Sequence, residues 1–132
     1  MRRITLISTL IAGLAMMAAI APVASASGGG TTRTIALHAS VSFPNATGKA
    51  VAKVNGSERE LEVELQDIRA LAGKHVNVFV NGNKWASPLV SSLGAIHVDR
   101  STERGQFVPT VRSGSTVRVR TLGGTLIAGG TF

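Results

Sequence analysis

Between Ile35 and Val119 the apolar residues recur at every second position, and that period constrains the fold more than anything else in the chain. Ile35, Leu37, Ala39 and Val41 alternate with polar neighbours; Leu61, Val63 and Leu65 alternate with Glu60, Glu62 and Glu64; Val76, Val78 and Val80 are separated by Asn77 and Phe79. Ile96 with Val98 and Val117 with Val119 repeat the pattern. Successive side chains of an extended strand point to opposite faces, so each run reads as a strand with one buried side. Pro44-Asn45, Asn55-Gly56, Gly73, Asn81-Gly82, Gly105, Ser113-Gly114 and Gly123-Gly124 punctuate the runs with residues that favour turns. Only residues 67–74 (DIRALAGK) have room for a turn of helix, which reads as a connection between sheets. The pattern predicts an all-β domain: a small antiparallel, Ig-like β-sandwich of seven to nine strands over residues 34–132. Its expected core is Ile35, Leu37, Val41, Leu61, Val63, Leu65, Val76, Val78, Val80, Ile96, Val98, Val117 and Val119.

The Asn55-Gly56 pair allows a register to be written. A two-residue type I′ loop there places Val54 opposite Ser57, Lys53 opposite Glu58, Val51 opposite Glu60 and Lys49 opposite Glu62. Lysines then meet glutamates on the outer face, each pair contributing about 0.2–1 kcal/mol. The acidic run Glu58, Glu60, Glu62 and Glu64 is therefore read as a solvated strand face, with a cation site as the alternative.

Residues 1–26 have the layout of a secretory signal peptide. Arg2 and Arg3 lead an apolar run from Ile4 to Ala21, and Ala24-Ser25-Ala26 supplies the small-residue cleavage pattern. The strong apolar run suits general export better than a twin-arginine route. Residues 27–33 then read as a flexible Gly/Ser/Thr lead-in to the domain. The expected location is extracytoplasmic, secreted or periplasmic, with no membrane insertion after cleavage. An outer-membrane barrel ending on Phe132 is not expected, because no Tyr is present to build aromatic girdles.

Composition narrows the chemistry. The chain of 132 residues has no cysteine, which excludes disulfides, thiolate metal sites and thiol nucleophiles. All three Met fall in the leader, so the domain offers no soft sulfur ligand either. The formal charge is +7, from 14 Lys+Arg against 7 Asp+Glu. Arg2 and Arg3 account for two of these charges, the signs cancel over residues 27–72, and the remaining +5 lies beyond: Lys74, Lys84, Arg100, Arg104, Arg112, Arg118 and Arg120 against Asp99 and Glu103. Arg118 and Arg120 share a strand face by parity, and Arg112 precedes them. Arginine makes forked contacts with phosphate, sulfate or carboxylate, so Arg112, Arg118, Arg120, Arg100 and Arg104 form a candidate anion-binding stripe for an envelope polymer or acidic glycan. The alternative is a charged surface that resists strand-to-strand aggregation. Phe79 and Trp85 flank Asn81-Gly82 and form a candidate aromatic contact. Nucleic acid is not an expected partner of an exported chain with few aromatics to stack bases.

His38, His75 and His97 stand apart, without a His-x-His or His-Glu-x-x-His spacing, so no metal and no cofactor is expected. No Gly-x-Ser-x-Gly elbow singles out a serine nucleophile, so the chain does not read as an enzyme. Segments 48–68 (GKAVAKVNGSERELEVELQDI), 73–82 (GKHVNVFVNG), 94–98 (GAIHV), 108–119 (VPTVRSGSTVRV) and 128–132 (AGGTF) resemble a loose group of small exported bacterial all-β proteins. The first half also resembles chordin-type domains, with His75-Val76-Asn77 where a His-rich strand is expected. The resemblance implies an Ig-like sandwich and transfers no catalytic residue. The expected function is a noncatalytic binding or structural module of the envelope or medium, monomeric or weakly associated. The alternatives are a metal-binding or enzymatic protein using the three histidines, and an adhesion module working through a strand edge.

Overall fold

The computed structural model describes residues 30–132, so the expected leader lies outside the described residues. The chain is all-β, as the period-two pattern requires. Eight antiparallel strands follow in order: β1 (Gly30–Ala39), β2 (Thr47–Asn55), β3 (Glu58–Gln66), β4 (Val76–Val80), β5 (Asn83–Ala86), β6 (Ile96–Ser101), β7 (Thr116–Thr121) and β8 (Leu126–Thr131). Short 3-10 turns cover Arg69–Leu71, in the stretch expected to turn, and Thr102–Arg104. No helix among the described residues is long and apolar enough to cross a membrane.

The strands do not separate into two Ig-like sheets. They form one hydrogen-bonded ladder in the order β5-β4-β7-β8-β1-β2-β3-β6. β1 is the reason: it pairs with β2 along Gly30–Leu37, and its last residues, His38 and Ala39, pair with β8. One strand shared by both halves turns what would be two sheets into a nearly closed barrel. β1 also takes up much of the expected lead-in, because residues 30–33 are already paired with residues 52–55. Thr31, Thr32 and Thr34 are β-branched residues that suit a strand once β2 is there to receive them.

The remaining gap lies between edge strands β5 and β6, and a side chain bridges it. Arg100 lies on the inward parity of β6 with Ile96 and Val98; its Nη1 donates to the Trp85 carbonyl at 2.7 Å, and its guanidinium carbon lies 5.2 Å from the centre of the indole ring. The segment between β6 and β7 closes this end of the barrel. Trp85 Nε1 donates to the Phe107 carbonyl at 3.0 Å, and Arg59 Nε donates to the Val108 carbonyl at 3.1 Å. At the other end the β3–β4 connection folds inward, burying Ile68 and Leu71, and Ile68 N donates to the Gly94 carbonyl at 3.0 Å. Gly94 has φ +77, and a Cβ there would lie 2.5 Å from the Arg69 nitrogen, so only glycine fits between the two connections.

Of the expected core, Leu61, Val63, Leu65, Val76, Val78, Val80, Val117 and Val119 are almost wholly buried, and Leu37, Ile96 and Val98 nearly so. Burying each such side chain stabilises the fold by roughly 1.5–3 kcal/mol. Ile35 is only half-buried, and Val41 is 97% exposed because β1 ends at Ala39 and leaves Val41 in the following loop. Ile68, Val90, Val108, Ile127 and Trp85 complete the core. Several of them come from connections, where no strand period marks them.

The β2–β3 register differs by two residues from the expected one. Lys53 faces Glu60, Val51 faces Glu62 and Lys49 faces Glu64, because the loop is Gly56-Ser57 and Asn55 already pairs with Glu58. Gly56 has φ +61 and Asn55 does not reach positive φ, the pattern of a type II′ loop with glycine first. A shift of two keeps every side chain on its face, so the glutamates still point out and the lysines still oppose them. The second Asn-Gly pair is the type I′ case. Asn81 and Gly82 both have positive φ, 52 and 80, and the Asn81 Oδ1 accepts a bond from Thr116 N at 3.1 Å.

Candidate functional site

β7 alternates Val117 and Val119 inward, which turns Arg118 and Arg120 outward as the parity argument requires. The register shows what lies beside them. Phe79 of β4 is opposite Arg118 and Lys84 of β5 is opposite Phe79; on the other side Gly129 of β8 faces Arg118 and His38 of β1 faces Gly129. Lys84, Phe79, Arg118, Gly129 and His38 therefore form one transverse row over five strands. At a strand spacing of about 4.8 Å the row spans about 19 Å. Lys84, Arg118 and His38 are exposed, while Phe79 is half-buried between the two cations. Gly129 has no side chain to stand in the row: a Cβ there would lie 3.6 Å from Arg118 Nη1, so the guanidinium lies over the glycine.

Asn77 faces Arg120 in the next row, and Arg120 Nη1 donates to the Gly124 carbonyl at 3.1 Å, which leans it toward the β7–β8 turn. β4, β5, β7 and β8 contain Lys84, Arg118 and Arg120 and not one carboxylate. The acids are concentrated on the far side, with Glu58, Glu60, Glu62 and Glu64 on β3 and Asp99 on β6. The β3 glutamates are faced by Lys49 and Lys53 of β2, whereas β4, β5, β7 and β8 carry cations alone.

The structure breaks up the five-arginine stripe. Arg118 and Arg120 share the outward face; Arg112 is exposed in the loop before β7, where its backbone N donates to Ser115 Oγ at 2.9 Å. Arg100 faces inward at the seam and is committed to Trp85. Arg104 sits beyond β6, its Nη2 3.2 Å from Asp99 Oδ1 and its Nε donating to Gln106 Oε1 at 3.2 Å. Parity along one strand is legible in sequence, but membership of one face across several strands is not. Lys84 and His38 were missed for that reason: each joins Arg118 only through strand neighbours distant in the chain.

Phe79 and Trp85 do not form a pair. A bulge opposite Val78 and Phe79 sends both Trp85 and Ala86 inward, whereas Phe79 stays on the outward side between Val78 and Val80. Trp85 is a seam residue, and Phe79 belongs to the basic row.

The three histidines lie in different places. His38 ends the basic row, and His75 Nδ1 is 2.9 Å from the Ser87 carbonyl oxygen. His97 meets carboxylates of the neighbouring strand: its Nε2 is 3.4 Å from Glu62 Oε2 and 3.7 Å from Glu64 Oε1. Comparison of the chain with family models, with curated proteins and with solved structures returns no match. The functional argument therefore rests on this geometry.

Proposed function

We propose that the chain is an exported, noncatalytic binding module that holds an anionic polymer or acidic glycan across the outward face of β5, β4, β7 and β8. The observation that carries this reading is the carboxylate-free row of Lys84, Arg118 and His38 around Phe79, with Arg120 beside it. Lys84 and Arg118 stand two strands apart, so an extended ligand lying across the strands meets their charges about 10 Å apart. Arg118 and Arg120 offer forks of N–H donors that match sulfate, phosphate and carboxylate. Phe79 adds an apolar surface on which a sugar ring can rest. With no acid in these four strands, nothing on the face neutralises the cations before the ligand arrives.

Dextran sulfate and polygalacturonate at low salt are suitable probes. The expected result is binding that weakens steeply as salt shortens the screening length from about 30 Å at 0.01 M to about 8 Å at 0.15 M. Changing Lys84, Arg118 and Arg120 together to Ser should abolish it, while Arg104→Ser, which alters a cation already paired with Asp99, should leave it nearly intact. Equal binding by the triple variant and the parent chain would refute the reading, as would no binding at low salt. An adhesion role through a strand edge is less well supported, since the edges β5 and β6 face each other across the Arg100–Trp85 contact.

A further inference from the structure

We propose that Glu62, Glu64 and His97 hold a divalent transition-metal ion of the zinc class on the outward face of β3 and β6. This site lies on the opposite side of the barrel from the basic row and does not depend on it. Glu64 and His97 are directly opposite in the β3–β6 ladder, and Glu62, two residues from Glu64, rises on the same face. One ligating atom from each of the three lies within 4.8 Å of the others.

The distances favour a shared ion over a direct ion pair. A charge-assisted hydrogen bond from imidazolium to carboxylate closes to about 2.7–2.9 Å. Here His97 Nε2 stands 3.4 Å from Glu62 Oε2 and 3.7 Å from Glu64 Oε1. Zinc binds nitrogen and carboxylate oxygen at about 2.0–2.2 Å, and the edge of a tetrahedron with such bonds is about 3.3–3.6 Å. The two spacings from His97 are thus close to a tetrahedral edge, and the two carboxylates lie near enough to each other to share one ion.

The donor set narrows the ion. An imidazole nitrogen is a poor partner for calcium or magnesium, which take oxygen ligands, and a good one for zinc or copper(II). Two carboxylates with a neutral imidazole carry the charge that balances a dication. The neighbouring charges leave these donors available. Lys49 Nζ approaches the other oxygen of Glu64, Oε2, at 3.7 Å, which leaves Oε1 toward His97. Asp99, opposite Glu62, is held by Arg104 at 3.2 Å and stays outside the set.

Three protein donors leave a fourth position open, as in zinc sites that bind water or a further ligand. A depression of about 370 Å³ adjoins two of the three donors, lined by Glu64 and His97 together with Gln66, Ser91, Leu89 and Ile96. The depression would leave a small ligand room beside Glu64 and His97.

The test is calorimetric titration of the full chain, first stripped with a chelator, with zinc chloride and in parallel with calcium chloride. One zinc per chain is expected, with much weaker calcium binding. His97→Gln and Glu62→Gln should each weaken zinc by more than the roughly 10- to 100-fold that losing an outer-sphere partner of a metal ligand costs. His38→Gln and His75→Gln should change it little. His97 is 56% exposed, so its Gln variant is expected to fold, and an unchanged melting temperature checks that. Acidification should weaken binding, because metal ligands must give up their protons to bind. Absence of zinc binding, zinc binding that survives His97→Gln, or calcium binding as tight as zinc would each overturn the proposal. None of these results bears on the binding of anionic polymers.

Discussion

Replacing Arg100 by Met tests whether one side chain closes the barrel. The substitution keeps most of the aliphatic stem and removes the guanidinium that donates to the Trp85 carbonyl at 2.7 Å and lies 5.2 Å from the indole centre. A hydrogen bond from a charged donor contributes about 1.5–3 kcal/mol, and a cation over an aromatic face at a partly exposed site about 0.5–1 kcal/mol. The seam is at a sheet edge where water can reach the released carbonyl, so the lower end applies and the expected loss is about 2 kcal/mol. For a domain of this size that corresponds to a fall in melting temperature of about 10 °C. Urea unfolding gives the free energy and scanning calorimetry the temperature. A second readout is association: with the seam open, β5 and β6 present unpaired edges, and dimers or larger species should appear in size-exclusion chromatography. A double-mutant cycle with Trp85→Leu isolates the guanidinium–indole part of the contact, because the Trp85 carbonyl is present in every variant. A loss below about 0.5 kcal/mol, with no new association, would refute the idea that Arg100 joins the two edges.

Four further substitutions probe the framework. Gly94→Ala introduces both a positive-φ side chain and a clash with the Arg69 backbone, so chemical denaturation should show a loss above about 1 kcal/mol. The two Asn-Gly pairs should respond differently in the same assay: Asn81→Ala loses a positive-φ asparagine and its bond to Thr116 N and should cost about 1–2 kcal/mol, while Asn55→Ala should stay within about 0.5 kcal/mol. Leu61→Ala removes a fully buried side chain of β3 and should cost about 2–5 kcal/mol, measured as a lower urea midpoint at unchanged slope.

Much of the fold was legible because strand parity is a local property. Val63 and Glu62 must point to opposite sides wherever β3 ends up, and that held through a two-residue shift of the hairpin. The loop type was not legible. The same Asn-Gly dipeptide makes a type I′ turn at Asn81-Gly82, where Thr116 holds the asparagine side chain, whereas at Asn55-Gly56 only the glycine lies in the loop and Asn55 pairs with Glu58. Trp85 was misplaced for a related reason. A bulge changes parity, and nothing in the string NKWA announces one.

The candidate sites were legible only within single strands. The pairing of Arg118 with Arg120 could be read from two residues of spacing, but Arg100 looked equally available and proved to face inward. The company of Glu62, Glu64 and His97 was hidden, because His97 is brought in from β6 by the β3–β6 ladder.

By itself the sequence determined that this chain is all-β, which residues of most strands face inward, and that the net positive charge of residues 27–132 falls in residues 73–132. Side-chain alternation and the conformational preferences of turn residues act between near neighbours, so they survive without knowledge of the whole. Only the tertiary structure decided that β1 joins both halves into one nearly closed sheet, that Arg100 spans the seam, and that Lys84 and His38 line up with Arg118. Those outcomes depend on which strands become neighbours, and that choice is made by packing one core from residues spread from Leu37 to Ile127.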